Sequence, residues 1–340
     1  MFAFLNNMKP PILFIRIFRF EYWPTYIIYF PVVFYWTYLA LRSRSLTFFT
    51  AVNPGFKKVG FLRESKIDIL KKIPKKYLPK TAFVSKADGL NDVRKYLKQQ
   101  KITFPFICKP NIGERGLHVE IIKNYDSLNN YLLAHEEDFL IQEYIPYEIE
   151  LGIFFYQLPD RTELGISSIV EKEFLHVIGD GKSTIETLMQ HTRRAKMQKK
   201  RMANIFKNKL DYIPKNGEKF VLEPIGNHCR GTMFLDANHL NDPRLLDTFS
   251  NIAKNIDGFN FGRFDIRTSS INDLYEGKAF KILEVNGIWS EPAHIYDPSY
   301  SLWKAYKEIL KHHKIMYRIS KMNHLNNIPY MSLKDALTYH

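Results

Sequence analysis

Two segments in the C-terminal third of the chain carry acidic side chains on strand-like patterns. The segment G-R-F-D-I-R contains Asp265, and the segment I-L-E-V-N contains Glu284 and Asn286. Side chains alternate along a strand, so Arg263, Asp265 and Arg267 share one face, and Glu284 shares a face with Asn286. If the two strands are neighbours, two carboxylates and an amide oxygen converge, which suits Mg²⁺. For the E-x-N pattern, an exposed sheet edge is the alternative.

A lysine followed by a glycine-rich turn lies earlier in the chain. The stretch F-P-F-I-C-K-P-N-I-G-E-R-G contains Lys109, Gly113 and Gly116. Glycines allow backbone amides to close on a phosphate, and a lysine on a strand supplies a positive charge. The spacing is not that of a P-loop, and an ordinary hairpin is the alternative.

A third segment has the pattern of a strand end that runs into a linker. It contains Gln142, Glu143, Tyr144 and Ile145, and Glu150 follows seven residues after Glu143. The backbone at such a strand end can form hydrogen bonds with a purine, and a later carboxylate can bind ribose hydroxyls. By itself this pattern carries almost no information.

The order of these three features resembles the ATP-grasp superfamily, in particular D-alanine–D-alanine ligase and the ATP-grasp part of cyanophycin synthetase. Residues 177–188, V-I-G-D-G-K-S-T-I-E-T-L, and residues 227–231, N-H-C-R-G, are similar to elements of the cyanophycin branch. The resemblance covers about residues 102–300. It departs from the family at Cys229, where serine is usual, and after Asn286, where the P-G of the family is absent.

The resemblance implies an α+β protein with the ATP-grasp fold, in which two α+β subdomains grip ATP. It implies ATP and Mg²⁺ as cofactors, with Mn²⁺ as an alternative metal, held by Asp265, Glu284 and Asn286. The implied nucleotide contacts are Lys66, Lys109, Gly113, Glu114, Arg115, Gly116, Gln142, Glu143, Tyr144, Ile145 and Glu150.

Further roles are implied around the reacting groups. Arg230 and Asn227 are expected near the γ-phosphate, and Arg267 is expected to add a fixed positive charge there. Ser290, Glu291 and His294 are assigned to the substrate. For Lys66 an exposed helix lysine is the alternative, and for His294 a structural histidine. Glu114 and Arg115 stand where the family has small residues, so a solvated loop tip is the alternative for them.

The chain has 340 residues with 49 Lys+Arg and 35 Asp+Glu, a formal net charge of +14, which predicts an anionic partner. The basic run at residues 193–219 indicates a solvated helix face, or a contact with acidic headgroups or an anionic substrate. Nucleic acid is not expected, because no recognised binding module surrounds the run. The two cysteines, Cys108 and Cys229, exclude a disulfide framework and fit a reducing compartment.

Residues 22–41 contain no charged side chain and are rich in Trp, Tyr and Phe. Aromatic residues prefer the headgroup level of a bilayer, and Pro31 kinks a helix in the middle of the segment. The pattern predicts shallow attachment to an anionic membrane surface, with the catalytic domain on the cytoplasmic side. A single span and a buried soluble helix are the alternatives.

These patterns predict five regions. They are a membrane-associated segment at 1–44, a linker and reduced N-terminal subdomain at 45–100 with mainly helical residues from 64 on, a small ATP-grasp subdomain at 101–150, a C-terminal subdomain with the metal site at 151–320, and a tail at 321–340. The expected function is a membrane-associated ATP-grasp ligase that joins a carboxylate to an amine or another nucleophile. An ATP-grasp phosphotransferase acting on a membrane or envelope substrate and a catalytically inactive membrane scaffold are the alternatives.

Overall fold

The computed structural model describes residue 14 and residues 17–56, 65–113 and 116–338. Its strands are β1 (Thr81–Val84), β2 (Phe106–Pro110), β3 (Glu120–Ile122), β4 (Phe139–Glu143), β5 (Ile149–Gln157), β6 (Leu164–Glu173), β7 (Leu175–Ile178), β8 (Lys219–Glu223), β9 (Met233–Asp236), β10 (Phe261–Thr268) and β11 (Phe280–Asn286). Its α-helices are α1 (Thr25–Tyr29), α2 (Val32–Ser43), α3 (Lys66–Leu70), α4 (Leu90–Gln100), α5 (Tyr125–Ala134), α6 (Ile185–His191), α7 (Arg193–Met197), α8 (Lys199–Ile205), α9 (Pro243–Ala253), α10 (Ile271–Tyr275), α11 (Leu302–Leu325) and α12 (Leu333–Thr338).

The smaller sheet is antiparallel, with its strands in the order β1-β4-β2-β3. Its core includes Val93 and Leu97 of α4 and Leu128 of α5. Helix α5 begins where the Asn124 side chain accepts a hydrogen bond from the Ser127 amide, which satisfies one free donor of the first turn. The boundary predicted at residue 101 falls inside this unit, because β1 and α4 share its sheet and its core.

The larger sheet is also antiparallel, in the order β11-β10-β5-β6-β9, and it is covered on both faces. Along β5 the side chains alternate, so that Phe155 belongs to the core cluster of Phe249 in α9. Phe154 belongs to the opposite cluster, which contains Ile315 of α11. Burial on both faces explains why β5 is apolar almost throughout. The boundary predicted at residue 320 falls within α11.

The basic run at residues 193–219 includes α7 and α8, which follow strand β7 and precede β8. One of its arginines is buried: Arg194 donates from Nη2 to Glu21 Oε2 at 2.9 Å and from Nη1 to the Thr232 carbonyl at 3.0 Å. Others are solvated, such as Lys199, which lies 3.3 Å from Glu186 with both side chains about half exposed. The run therefore serves both as a solvated face and as a link to residues near the N-terminus.

The uncharged aromatic segment forms a pair of helices. Helix α1 ends at Tyr29, and α2 begins at Val32 with Pro31 at its N-cap. Proline has no amide hydrogen and its ring clashes with the preceding turn, so the predicted break at this residue is confirmed. Across the described ranges, none of the helices combines the length and the apolar character needed to cross a membrane.

The two N-terminal helices have a buried face and an exposed face. On the inner side, Ile28 and Val32 pack in one core cluster with Ile309, and Leu39 packs in another with Ile319. On the outer side, the large side chains of Tyr26, Phe30, Phe34 and Leu41 remain exposed. Phe18, which precedes α1 in the sequence, is exposed as well. The segment is therefore amphipathic, with its inner side built into the fold.

Candidate nucleotide and substrate site

Strands β10 and β11 are antiparallel neighbours, as the sequence predicts for a shared acidic site. Asp265 lies opposite Glu284, and Arg263 lies opposite Asn286. These four side chains line one cavity, which Lys109 also lines. The register therefore brings the three predicted metal ligands to the same cavity as the predicted phosphate-binding lysine.

Two cations, the half-buried Arg263 and the buried Lys172, contact the Asp265 carboxylate. Arg263 donates from Nε to Oδ1 at 2.8 Å and from Nη2 to Oδ2 at 3.2 Å, and Lys172 Nζ lies 3.3 Å from Oδ2. The Asn286 amide donates to the same Oδ2 at 3.2 Å. Burial raises the pKa of Asp265, but Arg263 and Lys172 outweigh it and hold that pKa below its ordinary value. The carboxylate is therefore ionised at neutral pH.

Glu150 is a second buried carboxylate held by cations. Lys172 donates to Oε1 at 3.1 Å, and Arg267 donates from Nε to Oε2 at 2.8 Å. Burial lowers the pKa of Lys172, but the charges of Asp265 and Glu150 outweigh it and raise that pKa. A Cβ atom at Gly226 would lie 2.1 Å from Glu150 Oε1, so a larger residue there would displace the carboxylate. Lys172 thus bridges the predicted ribose contact and the predicted metal ligand.

Arg267 directs several of its donors at the protein. Besides the bond to Glu150, Nη1 donates to the Ile145 carbonyl at 2.9 Å and Nη2 to the Pro224 carbonyl at 2.8 Å. The guanidinium carbon also lies 5.5 Å from the centre of the Tyr144 ring. These contacts fix the end of β4, where adenine contacts are predicted, and they give Arg267 a positioning role in this structure.

Lys109 lies at the base of the charged part of the cavity. Its Nζ donates to Gln142 Oε1 at 2.9 Å and to the Leu283 carbonyl at 2.8 Å. Burial lowers the pKa of Lys109 to about 8, although the nearby Glu284 carboxylate opposes this change. Lys66 stands close by, 3.5 Å from Glu284 Oε1, and donates to the Gly113 carbonyl at 2.6 Å. Both predicted phosphate-binding lysines thus line the same cavity.

The glycine-rich loop contacts the segment that carries Asn227 and Arg230. Gly116 has φ = 68°, a conformation that favours glycine, and a Cβ atom there would lie 2.7 Å from Asn227 Nδ2. Arg230 Nη2 donates to the Gly116 carbonyl at 2.7 Å. Asn227 lines the cavity, whereas the guanidinium of Arg230 binds the loop. The predicted loop residues Glu114 and Arg115 lie outside the described residues.

Two of the predicted substrate residues line the cavity. Ser290 donates from Oγ to the Gly287 carbonyl at 2.5 Å. Glu291 Oε2 accepts a hydrogen bond from Tyr296 Oη at 3.0 Å, and its backbone carbonyl accepts one from Arg263 Nη1 at 3.2 Å. Glu291 therefore stands next to the charged group around Asp265.

The third predicted substrate residue, His294, lies behind the cavity wall. Its side chain is only 1 % exposed, and Nδ1 lies 2.6 Å from Ser168 Oγ. It is not among the described side chains that line the cavity. Burial lowers the pKa of His294, so the ring is neutral. These contacts agree with a structural histidine, the alternative that the sequence left open.

The cavity is large, about 1980 Å³, and its two ends differ in character. The charged end contains the lysines, arginines and carboxylates described above. At the other end Trp36 lies 5.2 Å from Phe49, 6.5 Å from Trp289 and 5.6 Å from His313, between ring centroids. We call this end the aromatic chamber, and define it by the lining residues Tyr29, Val33, Trp36, Phe49, Trp289 and His313.

Sequence reasoning missed Lys172 and the aromatic chamber. Lys172 has a local signal, because Val170 on β6 and Phe174 just after the strand flank it at i−2 and i+2, a pattern that places the lysine on an apolar face. The chamber has none, because its residues come from distant segments that meet only in the folded chain. A pattern within one segment could not have revealed it.

Comparison with known families supports the resemblance seen in the motifs. Residues 63–153 match the family model of the RimK-like ATP-grasp domain. This stretch contains Lys66, Lys109, the glycine-rich loop and Glu150. The match supports the resemblance of the chain to the ATP-grasp superfamily. No sequence among the curated proteins matches the chain.

Solved structures that are similar to the chain include several ligases. A bifunctional glutathione synthetase from Pasteurella multocida matches 72% of this chain and 35% of its own, with 14% identity and a TM-score of 0.37. D-alanine–D-alanine ligase from Bacillus anthracis complexed with ATP matches 77% of this chain and 68% of its own, with 13% identity and a TM-score of 0.43. VanG D-Ala:D-Ser ligase from Enterococcus faecalis matches 77% of this chain and 61% of its own, with 16% identity and a TM-score of 0.38. The chain thus spans about a third of the first of these proteins.

Proposed function

We propose that this chain is an ATP- and Mg²⁺-dependent ligase that activates a carboxylate as an acyl phosphate and joins it to an amine. The observation that carries the proposal is the shared cavity of Lys109, Asp265, Glu284 and Asn286. The match of residues 63–153 to an ATP-grasp family model supports the nucleotide half of this assignment.

The charged end of the cavity suits a nucleoside triphosphate. Lys109 and Lys66 supply two ammonium groups, and the adjacent loop at Gly113 and Gly116 can turn backbone amides toward phosphate oxygens. The end of β4, which Arg267 holds in place, offers backbone groups for adenine. Glu150, near the start of β5, is the carboxylate that we assign to the ribose, and its two cations keep it ordered.

The donor set on β10 and β11 fits a hard divalent cation. Two carboxylates and one amide oxygen are the ligand types that Mg²⁺ prefers, and the cavity leaves room for water and phosphate oxygens. Asp265, Glu284 and Asn286 would hold the ion. When bound, it would neutralise the charge on the transferred phosphoryl group.

The reaction needs no covalent group on the protein. A carboxylate oxygen of the substrate attacks the γ-phosphorus, the bond to the β–γ bridging oxygen breaks, and ADP leaves. The amine then attacks the acyl carbon, inorganic phosphate leaves and the amine loses a proton. In this scheme Lys109 and Lys66 bind the charged oxygens, and Arg230 holds the loop that covers them.

The test uses Mg-ATP, a panel of carboxylic acids and hydroxylamine, which traps acyl phosphates as hydroxamates. We expect ADP and hydroxamate with wild type, and at least a 100-fold lower rate with Glu284→Gln. Glu276→Gln is the matched control, because its exposed side chain pairs only with Lys278 in the described structure and lies outside the cavity. Phosphate transfer to an alcohol without hydroxamate would overturn the ligase in favour of a phosphotransferase.

We also propose that the exposed face of α1 and α2 attaches the protein to the cytoplasmic face of an anionic membrane. Phe30 and Phe34 point outward, 6.1 Å apart between ring centroids, and the chain carries a net charge of +14. Vesicles of phosphatidylglycerol and phosphatidylcholine should retain the wild-type chain in a sedimentation assay.

The double variant Phe30→Glu/Phe34→Glu should lose at least tenfold in vesicle affinity. Leu133→Glu/Leu325→Glu is the control, because it adds the same charge at exposed positions on other helices. Equal retention of both double variants would overturn membrane attachment through this face, without affecting the ligase proposal.

A further inference from the structure

The cavity is too large for a nucleotide alone. Ligand pockets in proteins commonly measure about 300–1,000 Å³. This one measures about 1980 Å³, and it continues from the charged end into the aromatic chamber. A second molecule of considerable size can therefore occupy the cavity beside the nucleotide.

The aromatic chamber favours an uncharged, apolar group. Its walls include the rings of Trp36, Phe49 and Trp289, which lie within 6.5 Å of one another between centroids. His313 adds no charge, since burial lowers its pKa and outweighs the opposing contact of Nδ1 with the Ile309 carbonyl at 2.8 Å. A charged group placed here would lose its hydration without an opposite charge among the chamber residues.

The polar groups stand at the junction of the two ends. Glu291 lies there, bonded to Tyr296 and, through its backbone, to Arg263. Arg263 in turn contacts Asp265, one of the residues proposed to hold Mg²⁺. A molecule with one polar end and one apolar end would therefore have an unambiguous orientation in this cavity.

The same helices that wall the chamber also carry the exposed aromatic face. Val33 and Trp36 of α2 line the cavity, while Phe30 and Phe34 are exposed on the outside. A hydrocarbon chain that moves from a membrane surface into the chamber would thus stay in contact with apolar side chains.

On the basis of the proposed ligase function, we propose that the substrate joined in this cavity is an amphiphile. Its reacting polar head lies beside Asp265 and Glu284, and its uncharged apolar tail fills the aromatic chamber. The N-terminal helices are then part of the substrate site, a role that the amino-acid sequence alone assigned only to membrane attachment.

The experiment uses the full chain and the neutral fluorescent probe N-phenyl-1-naphthylamine. Val33→Trp places a large side chain in the chamber at a position that is 55% exposed, so it disturbs little of the core. Leu41→Trp is the matched control on the same helix, 73% exposed and outside the cavity. MgADP affinity is measured in parallel for every variant.

We expect one probe molecule per chain, at least tenfold weaker binding with Val33→Trp, and a change of less than twofold with Leu41→Trp. Trp289→Leu, which removes a stacking wall, should also weaken the probe. Dodecanoate or dodecylamine should displace it, and the better competitor indicates whether the tail belongs to the acid or to the amine.

Equal probe affinity in Val33→Trp, Leu41→Trp and wild type would overturn the amphiphile, as would failure of both competitors to displace the probe. MgADP affinity should be the same in wild type and in both tryptophan variants. A wild-type chain that does not bind MgADP would instead overturn the proposed ligase, whatever the probe does.

Discussion

The two ends of the cavity are stabilised in opposite ways. At the charged end each buried carboxylate contacts two cations, as Glu150 contacts Lys172 and Arg267. In the aromatic chamber most contacts are between rings, and His313 is neutral. The first end depends on charge and geometry, and the second on shape and the exclusion of water.

The match to a known family model covers only part of the charged end. The family match covers residues 63–153, which supply Lys66, Lys109 and Glu150 at the charged end. The chamber residues, from segments 29–49 and 289–313, lie outside that match, and so do Lys172, Asp265, Glu284 and Asn286 of the charged end. In the proposed ligase the charged end carries the reaction and the chamber holds the apolar part of the substrate.

The largest expected effect comes from breaking the charge network. Lys172→Met leaves Glu150 and Asp265 each with one cation fewer in a buried position. Removal of one member of a buried ion pair costs about 3–5 kcal/mol, because the remaining charge stays desolvated. Urea unfolding should show this loss. Lys278→Met, which breaks the exposed pair with Glu276, should change the unfolding free energy by less than about 1 kcal/mol.

The next effect concerns the nucleotide alone. Lys109→Met keeps most of the length of the side chain and removes its charge, so a phosphate loses a charged hydrogen bond worth about 1.5–3 kcal/mol. We expect MgADP affinity, measured by calorimetry, to fall about 100-fold at the upper end of that range. Lys123→Met, at an exposed position outside the cavity, is the control. The affinity of the chamber for N-phenyl-1-naphthylamine should stay within twofold.

A fall of the probe affinity in Lys109→Met as large as the fall of MgADP affinity would contradict the separation of the two ends. It would mean that the lysine supports the whole cavity through its bonds to Gln142 and the Leu283 carbonyl. Unfolding curves of the same variant would then show a matching loss of stability.

The charged end could be predicted from the sequence because its signals are local. Strand alternation placed Glu284 and Asn286 on one face, and the register of β10 and β11 agrees with the expected neighbours. The strand β1 was not predicted, because Thr81–Val84 is short and lies between lysine-rich turns. Its pairing with β4 depends on contacts distant in sequence, which a local pattern does not contain.

The inner side of the N-terminal segment was also beyond local patterns. Its aromatic composition predicts a membrane surface, yet Ile28 and Leu39 are buried in the fold, and Glu21 forms a buried ion pair with Arg194. Which face of a helix packs inward depends on the surface it meets. Here that surface is α11, which is distant in the sequence.

Lowering the pH acts on His312, a buried histidine that lines the cavity and is next in sequence to the chamber residue His313. Burial lowers the pKa of His312 to about 3, whereas a histidine in the unfolded chain titrates near 6.5. The unfolded chain therefore binds more protons below pH 6.5, and stability is lost as the pH falls. Between pH 7 and pH 5 this histidine should cost about 2 kcal/mol. Between pH 7 and pH 5 the unfolding free energy of His312→Gln should therefore fall by about 2 kcal/mol less than that of wild type, which is a shallower pH slope.

His239→Gln is the control for the acid experiment, because His239 is exposed and its substitution should leave the slope unchanged. An unchanged slope in His312→Gln would mean that the ring titrates in the folded chain as it does in the unfolded chain. The cavity wall next to His313 would then become charged in acid.

A rise in pH acts on Lys109 at the charged end, and its effect on MgADP affinity is the smallest that we expect. The pKa of Lys109 is about 8 because the amine is buried, so above this pH it loses the proton that a phosphate requires. MgADP affinity should fall about fivefold between pH 8 and pH 9 in wild type, measured by calorimetry. In Lys109→Met the MgADP affinity should not change between pH 8 and pH 9. Probe binding in the chamber should not change over this range, because His313 is already neutral. An equal slope in Lys109→Met would assign the titration to a different group.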